Sequence, residues 1–137
     1  MSADLAIQRA LRARLVTSPA VTALVPAASI LDTHKRPAPR PGIILGDAQS
    51  VRSGSMARNW ETVTHTIHVW TEEPSTEGCK RIAFAVRSAI EAVRLDLGPD
   101  YHCADWDVTS ARYLRDPDGV TAHGVLTVEV LAERVSP

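Results

Sequence analysis

Leu114-Arg115-Asp116-Pro117-Asp118-Gly119-Val120, followed by His123-Gly124-Val125-Leu126, is the stretch whose reading decides the fold. Asp116, Pro117 and Gly119 occupy the first, second and fourth positions of a turn. Proline presets its own φ, the Asp116 carboxylate caps the turn amides, and glycine tolerates positive φ, so the segment reads as a type I turn closing a β-hairpin. With a bulge at Gly119, Asp116 pairs with Val120. The same register puts Ser110 opposite Leu126, Val108 opposite Val128 and Trp106 opposite Val130. The apolar residues then share one face, and Thr109, Thr127, Asp107 and Glu129 collect on the reverse. Gly124 faces Arg112 in this register and leaves space for its long side chain.

Working outward, the hairpin strands run from about His102 to Leu114 and from Val120 to Glu133. Upstream, Cys79, Ile82, Ala83, Val86, Ile90 and Val93 recur at steps of three and four, the spacing of an amphipathic helix that ends before Gly98-Pro99. Pro74-Ser75-Thr76-Glu77 supplies its stop, its cap hydroxyl and an acidic first turn. From Trp60 to Thr71 the residues alternate, with Val63, Ile67 and Val69 on one face and Thr62, Thr64, Thr66 and His68 on the other, which is a strand with one buried side. Ile43 to Ala48 reads as another strand, and Ser50 to Asn59 as a basic loop without periodicity. The Pro-rich segment His34 to Gly42 is a connector of polyproline character. Ile30 and Leu31 begin a strand before it. Nearer the start, Ser18-Pro19 signals a short helix, and Ile7, Ala10, Leu11 and Leu15 mark a first amphipathic helix from Ser2 to Val16.

These elements predict an α+β domain: an antiparallel sheet of about four strands with two amphipathic helices packed on one face. The 137 residues, 45% hydrophobic and 23% charged, suffice for one domain with a substantial core, taken as residues 1–137. Neither a membrane span nor a secretory leader is expected, so the chain should be soluble and made in the cytoplasm. Cys79 and Cys103 form no C-x-x-C pair and imply no disulfide. The formal net charge of -1 hides a split. Residues 1–60 hold eight Lys/Arg against three Asp/Glu, and residues 61–137 hold seven against thirteen. Such a division suits head-to-tail contacts between copies, whereas the near-neutral total argues against a general nucleic-acid binder.

Enzymatic chemistry finds no support. His65 and His68 lie three apart on a strand, so they point to opposite faces and cannot chelate one metal. His123, near Asp116 and Asp118, has no Ser or Cys nucleophile tied to it by a motif, and its expected role is a hydrogen bond that steadies the turn. Glu72, Glu73, Asp105 and Asp107 fall at strand ends where solvated acids are ordinary. Phosphate loops, nucleophile elbows and zinc spacings are all missing. We therefore expect no catalytic residue, metal or cofactor. The aromatic residues are more telling: Trp60 and Trp70 stand on the Thr-rich face of the long strand, and Tyr113 is expected on the polar face of the last hairpin. Large amphipathic rings on a polar sheet face mark subunit contacts, although cover by the chain's own basic loop would serve them equally.

The pattern as a whole resembles the tail completion, or tail terminator, family of long-tailed phages and gene transfer agents. The residues that carry it are the N-terminal helix with Leu5, Leu11 and Leu15, the Val25-Pro26 short helix, Gly42-Ile43-Ile44-Leu45-Gly46, and the strand His65 to Trp70. To these are added Arg112 to Gly119 and the following His123-Gly124. The resemblance implies a structural protein at the head–tail junction of a particle, assembled in the host cytoplasm. It would form a homo-hexameric ring that caps the tail tube, ends tube polymerisation and joins the tail to a head connector. DNA would pass through the ring without specific binding. On this basis Trp60, Trp70 and Tyr113 are expected at the subunit interface, and the loop bearing Arg52 and Arg58 at the tube or neck. Two other readings stand beside it: a head-side connector or stopper protein, and a small dimeric α+β ligand-binding module or enzyme with a pocket near His65 or His123.

Overall fold

A computed structural model describes residues 1–52 and 59–135. Helix α1 (Ala3–Val16) starts where the Ser2 hydroxyl accepts from the Leu5 amide, and it buries Ala3, Ala6, Ile7, Leu11 and Leu15. Ser18 caps the short α2 (Pro19–Thr22), which begins on its proline. A single 3-10 turn, Ala27–Ser29, leads into β1 (Ile30–Leu31). Then follow β2 (Gly42–Arg52), β3 (Trp60–Glu72), α3 (Glu77–Glu91), β4 (Tyr101–Arg115) and β5 (Thr121–Arg134). The sheet order is β1-β2-β3-β5-β4. α1 lies over β1, β2 and β3, and α3 over β3, β4 and β5, so the helices cover one face alone.

The α+β architecture with a helix-covered sheet is as expected, and it differs in three places. There are five strands, and the short β1 runs parallel to β2, so the sheet is mixed. Ser50 to Arg52, read as loop, continue β2: they pair with Val63, Thr62 and Glu61, and ladder bonds to a long neighbour outweigh the polar composition. The rest of that loop, including Arg58, lies outside the described residues. α3 ends before Gly98-Pro99 as expected, but at Glu91, so Val93, read as its last apolar position, lies beyond it and is exposed. Leu95 and Leu97 then turn back into the core.

Arg14 holds that helix end from another element. Its guanidinium donates to the carbonyls of Ala89 and Ile90 in the last turn, which a helix C-terminus leaves without intrahelical partners, and to those of Val93 and Arg94 just beyond it, at 2.8–3.0 Å. At the other end the Glu73 carboxylate accepts from the Gly78 and Cys79 amides, and the Ser75 hydroxyl from Glu77. An acid at a helix N-terminus is favoured by the helix dipole as well.

The decisive hairpin closes one residue further out than expected. Gly119 donates to the Asp116 carbonyl at 3.0 Å and carries φ 76°, as the turn requires. Yet Asp116 bonds Thr121 rather than Val120, because the Asp118 carboxylate gathers the Val120 amide, the Thr121 amide and the Thr121 hydroxyl at 2.6–2.8 Å. Near the turn, therefore, Ala111 faces Leu126 and Ser110 faces Thr127. A bulge between Val108 and Ser110 absorbs the offset, and Val108–Val128 and Trp106–Val130 pair as the sequence predicts. A second irregularity falls between Cys103 and Asp105.

The offset changes what Gly124 faces. Its partner is Tyr113, not Arg112. A Cβ on Gly124 would stand 2.8 Å from Cys79 Sγ of α3 and 3.6 Å from the Tyr113 ring, so the missing side chain admits α3 and the tyrosine to the sheet. Tyr113 accordingly packs against the core with Lys80 Nζ 5.4 Å from its ring centre. Its expected place on the polar face is corrected: it belongs to the helix-covered side.

Candidate functional site

β3 alternates through its whole length, with Val63, His65, Ile67, Val69 and Thr71 buried and the intervening residues half-buried on the uncovered side. No described helix covers that side. His65 and His68 thus face opposite ways, as their spacing requires. His65 is sealed in the core, its Nδ1 3.3 Å from the Thr66 carbonyl, and burial pushes its pKa down so that the ring is neutral. Trp60 and Trp70 both stand on the open face, but at opposite ends of the strand. Ten residues at about 3.3 Å each separate them by roughly 33 Å.

At the Trp70 end the open face carries a stacked cluster. β5 places His123 directly across from Trp70, with ring centres 3.8 Å apart and planes within 4°. His68, two residues along β3, brings its Nδ1 to 2.8 Å from His123 Nε2. One ring donates and the other accepts, so the pair shares one proton between them and is neutral. The His123 pKa is lowered to about 4, first by burial and then by the neighbouring His68, with Asp116 opposing. Burial lowers that of His68 as well, against Asp47. The partner of His123 is thus a residue of β3, and the expected turn-steadying bond is not what it makes.

The Pro-rich segment folds over this cluster. His34, Lys35, Arg36, Ala38 and Arg40 form one wall of a groove of about 430 Å³, with Ile44, His68 and Trp70 on its floor and Asp116 at its rim. The segment that composition marks as a connector is therefore a cationic cover on an aromatic surface. Its chemistry suits an anionic or amphipathic protein surface. Among the described residues no group of three His, Cys, Asp or Glu could hold a metal ion. Cys79 and Cys103 are free and buried, and burial raises the pKa of each thiol, that of Cys79 to about 11. Thiols held in that form are poor nucleophiles.

The sequence-predicted contact residues are not brought together. Trp70 joins the stacked cluster, Trp60 sits at the far end opposite Glu133, Tyr113 lies on the helix side, and Arg52 ends β2 opposite Glu61. The His68–His123 contact went unpredicted. It depends on β3 adding to β5, a pairing across the intervening helix and strand that no local turn signal announces.

This layout, a one-sided mixed sheet with its turn-closing acid and long exposed strands, coincides with a match of residues 9–133 to the tail completion protein gp17 family. The chain belongs to that family. A tail completion protein is a structural part of a virion, associated with the particle's other components, and not an enzyme. The ligand-binding or enzymatic reading is thereby set aside. Solved structures share the fold. A chain of the virion of a native gene transfer agent particle superposes with a TM-score of 0.81 at 19% identity, covering 96% of this chain and 98% of that one. The bacteriophage SPP1 gp17 protein gives a TM-score of 0.64 at 22% identity, covering 93% and 89%. No curated protein matches the chain by sequence.

Proposed function

We propose that this tail completion protein forms a six-fold ring that caps the head-proximal end of the tail tube, ends tube polymerisation and joins the finished tail to the head connector. The observation that carries the reading is the one-sided sheet. Helices cover one face, whereas the strands of 13 to 15 residues leave the other without a helix, with Trp60 at one end and Trp70 and the histidine pair beside the cationic 34–40 segment at the other. A subunit with two unlike faces makes heterologous contacts, and these close into rings when the rotation between copies allows. The open face with Trp60 and Trp70 supplies one contact, and Tyr113 contributes from the helix side. Arg52 and the following segment with Arg58 reach the tube or neck. DNA passes through without specific binding, which the net charge of -1 favours.

Electron microscopy of particles assembled without the chain tests the reading. Overlong tubes without heads are expected. Tails of normal length beside heads that leak DNA would make the chain a head-side connector or stopper instead. In reconstitution, unchanged ring formation and tail joining by both Trp70→Ala and a deletion of Gly54 to Ala57 would remove the open face and the loop from the contacts.

A further inference from the structure

Phe84, near the middle of α3, is 72% exposed. Beside it Ala20, Ala23 and Leu24 from the α2 region and Ser88 from α3 line a groove of about 650 Å³, and Leu24 is itself 40% exposed. An aromatic ring and a leucine left in water around a groove of small side chains mark a surface that something covers. The groove wall carries two cations, Lys80 and Arg81, against one carboxylate, Glu77. Arg81 also meets Glu77 at 2.8 Å, an exposed pair that is easily exchanged for another partner.

The opposite layer carries a matching surface. At the end of the open sheet face remote from Trp70, Val51 and Leu131 flank Thr62, and Trp60 stands one step along the same face. Four carboxylates surround this apolar group: Glu129 and Glu133 on β5, and Asp105 and Asp107 on β4 opposite Leu131 and Glu129. One layer thus offers an apolar groove edged by Lys80 and Arg81, and the other an apolar patch among carboxylates.

We infer that the Phe84 groove seats the Trp60, Val51 and Leu131 end of a second copy's open face, with Lys80 and Arg81 meeting its carboxylates. This rests on the ring reading and names the two surfaces that meet in it. Because they lie on opposite layers, the contact is heterologous and repeats in one direction. A contact of the open face with itself would be two-fold and would stop at a dimer.

The full chain carrying both Ser88→Cys and Thr62→Cys tests this, added to tail tubes under a mild oxidant. Ser88 is on the outer side of α3 and Thr62 on the far face of the sheet, so the two cannot meet within one copy, as a disulfide requires Cα atoms within about 7 Å. Cys79 and Cys103 are buried and give little background. The expected result is a covalent ladder extending beyond the dimer. Phe84→Ala should weaken it by about tenfold or more, as should Lys80→Glu with Arg81→Glu, and Glu129→Lys with Glu133→Lys should restore the charge-reversed ladder. A ladder that stops at a dimer, or none while wild-type chain still limits tube length, overturns the inference and leaves the ring reading standing. Tubes of unlimited length with wild-type chain present would instead overturn the ring reading.

Discussion

Trp70 and His123 lie face to face across β3 and β5, with ring centres 3.8 Å apart, and His68 Nδ1 shares a proton with His123 Nε2 at 2.8 Å. The stack is held by neutral imidazoles. It joins the strand bearing the half-buried Trp70 to the strand that the decisive turn positions. The stack therefore depends on the histidine pair staying neutral.

The stability of the fold should fall on mild acidification. The folded pKa of His123 is about 4 against 6.5 for a free histidine, so the unfolded chain takes up the proton first. The contribution is complete above about pH 6.5, declines as pH falls towards 4, and changes no further below that. For this half-buried ring the loss is on the order of 2 kcal/mol after allowance for solvent screening. His65, also lowered by burial, adds a loss of the same sign. Urea unfolding at pH 7, 5.5 and 4.5 should show the decline, and His123→Phe should remove part of it. A pH-independent midpoint over this range would contradict the assignment.

Gly124 and Cys79 should behave as a coupled pair. Gly124→Ala places a methyl 2.8 Å from Cys79 Sγ, and overpacking of this kind costs about 1–3 kcal/mol. Cys79→Ala withdraws the sulfur, so the double variant should be less destabilised than the sum of the singles, by roughly 1 kcal/mol. Thermal unfolding of the four proteins completes the cycle. Strict additivity would mean that Gly124 is glycine for another reason.

The sequence announces what is local or periodic and is silent on what is long-range. Alternation in β3 and the three-and-four spacing in α3 reveal the buried faces, because burial writes directly into residue type. The turn at Asp116 to Gly119 is legible for the same reason. Its register is not, since the Asp118 carboxylate recruits Val120 and Thr121 and shifts the closing pair by one residue. That single step turns Tyr113 from the open face to the helix side. The site is less legible than the fold. The Trp70–His123 stack needs the β3–β5 pairing, and the cationic cover needs the path of the 34–41 segment, neither of which has a local signal.

Arg14 is a case where composition misleads, since an arginine on an amphipathic helix reads as a solvated charge. It donates to four carbonyls at the end of α3. Arg14→Met keeps most of the aliphatic stem and leaves those acceptors without the guanidinium. A loss of about 1.5–3 kcal/mol is expected, the range for hydrogen bonds to a charged group. Amide exchange in the last turn of α3 should accelerate with it. An exchange rate unchanged at Ile90, whose carbonyl also accepts from Trp106 Nε1 at 2.9 Å, would show that the guanidinium does not hold the helix end.

Trp70 separates a folding role from a role in the particle. Its ring is half-buried and stacks on His123 rather than on the core, so Trp70→Ala should cost about 2 kcal/mol of stability, less than the loss of a core ring. If the open face is a subunit contact, the loss in assembly should be far larger, because a large ring at a contact contributes about 2 kcal/mol or more at each copy of the interface. Complementation of particles lacking the chain should then fall by well over tenfold with Trp70→Ala, while the purified variant stays folded with that smaller loss of stability. Trp70→Phe, which keeps a stacking ring, should recover much of the activity. Equal losses in stability and in complementation would make Trp70 a folding residue and leave the open face without a demonstrated partner.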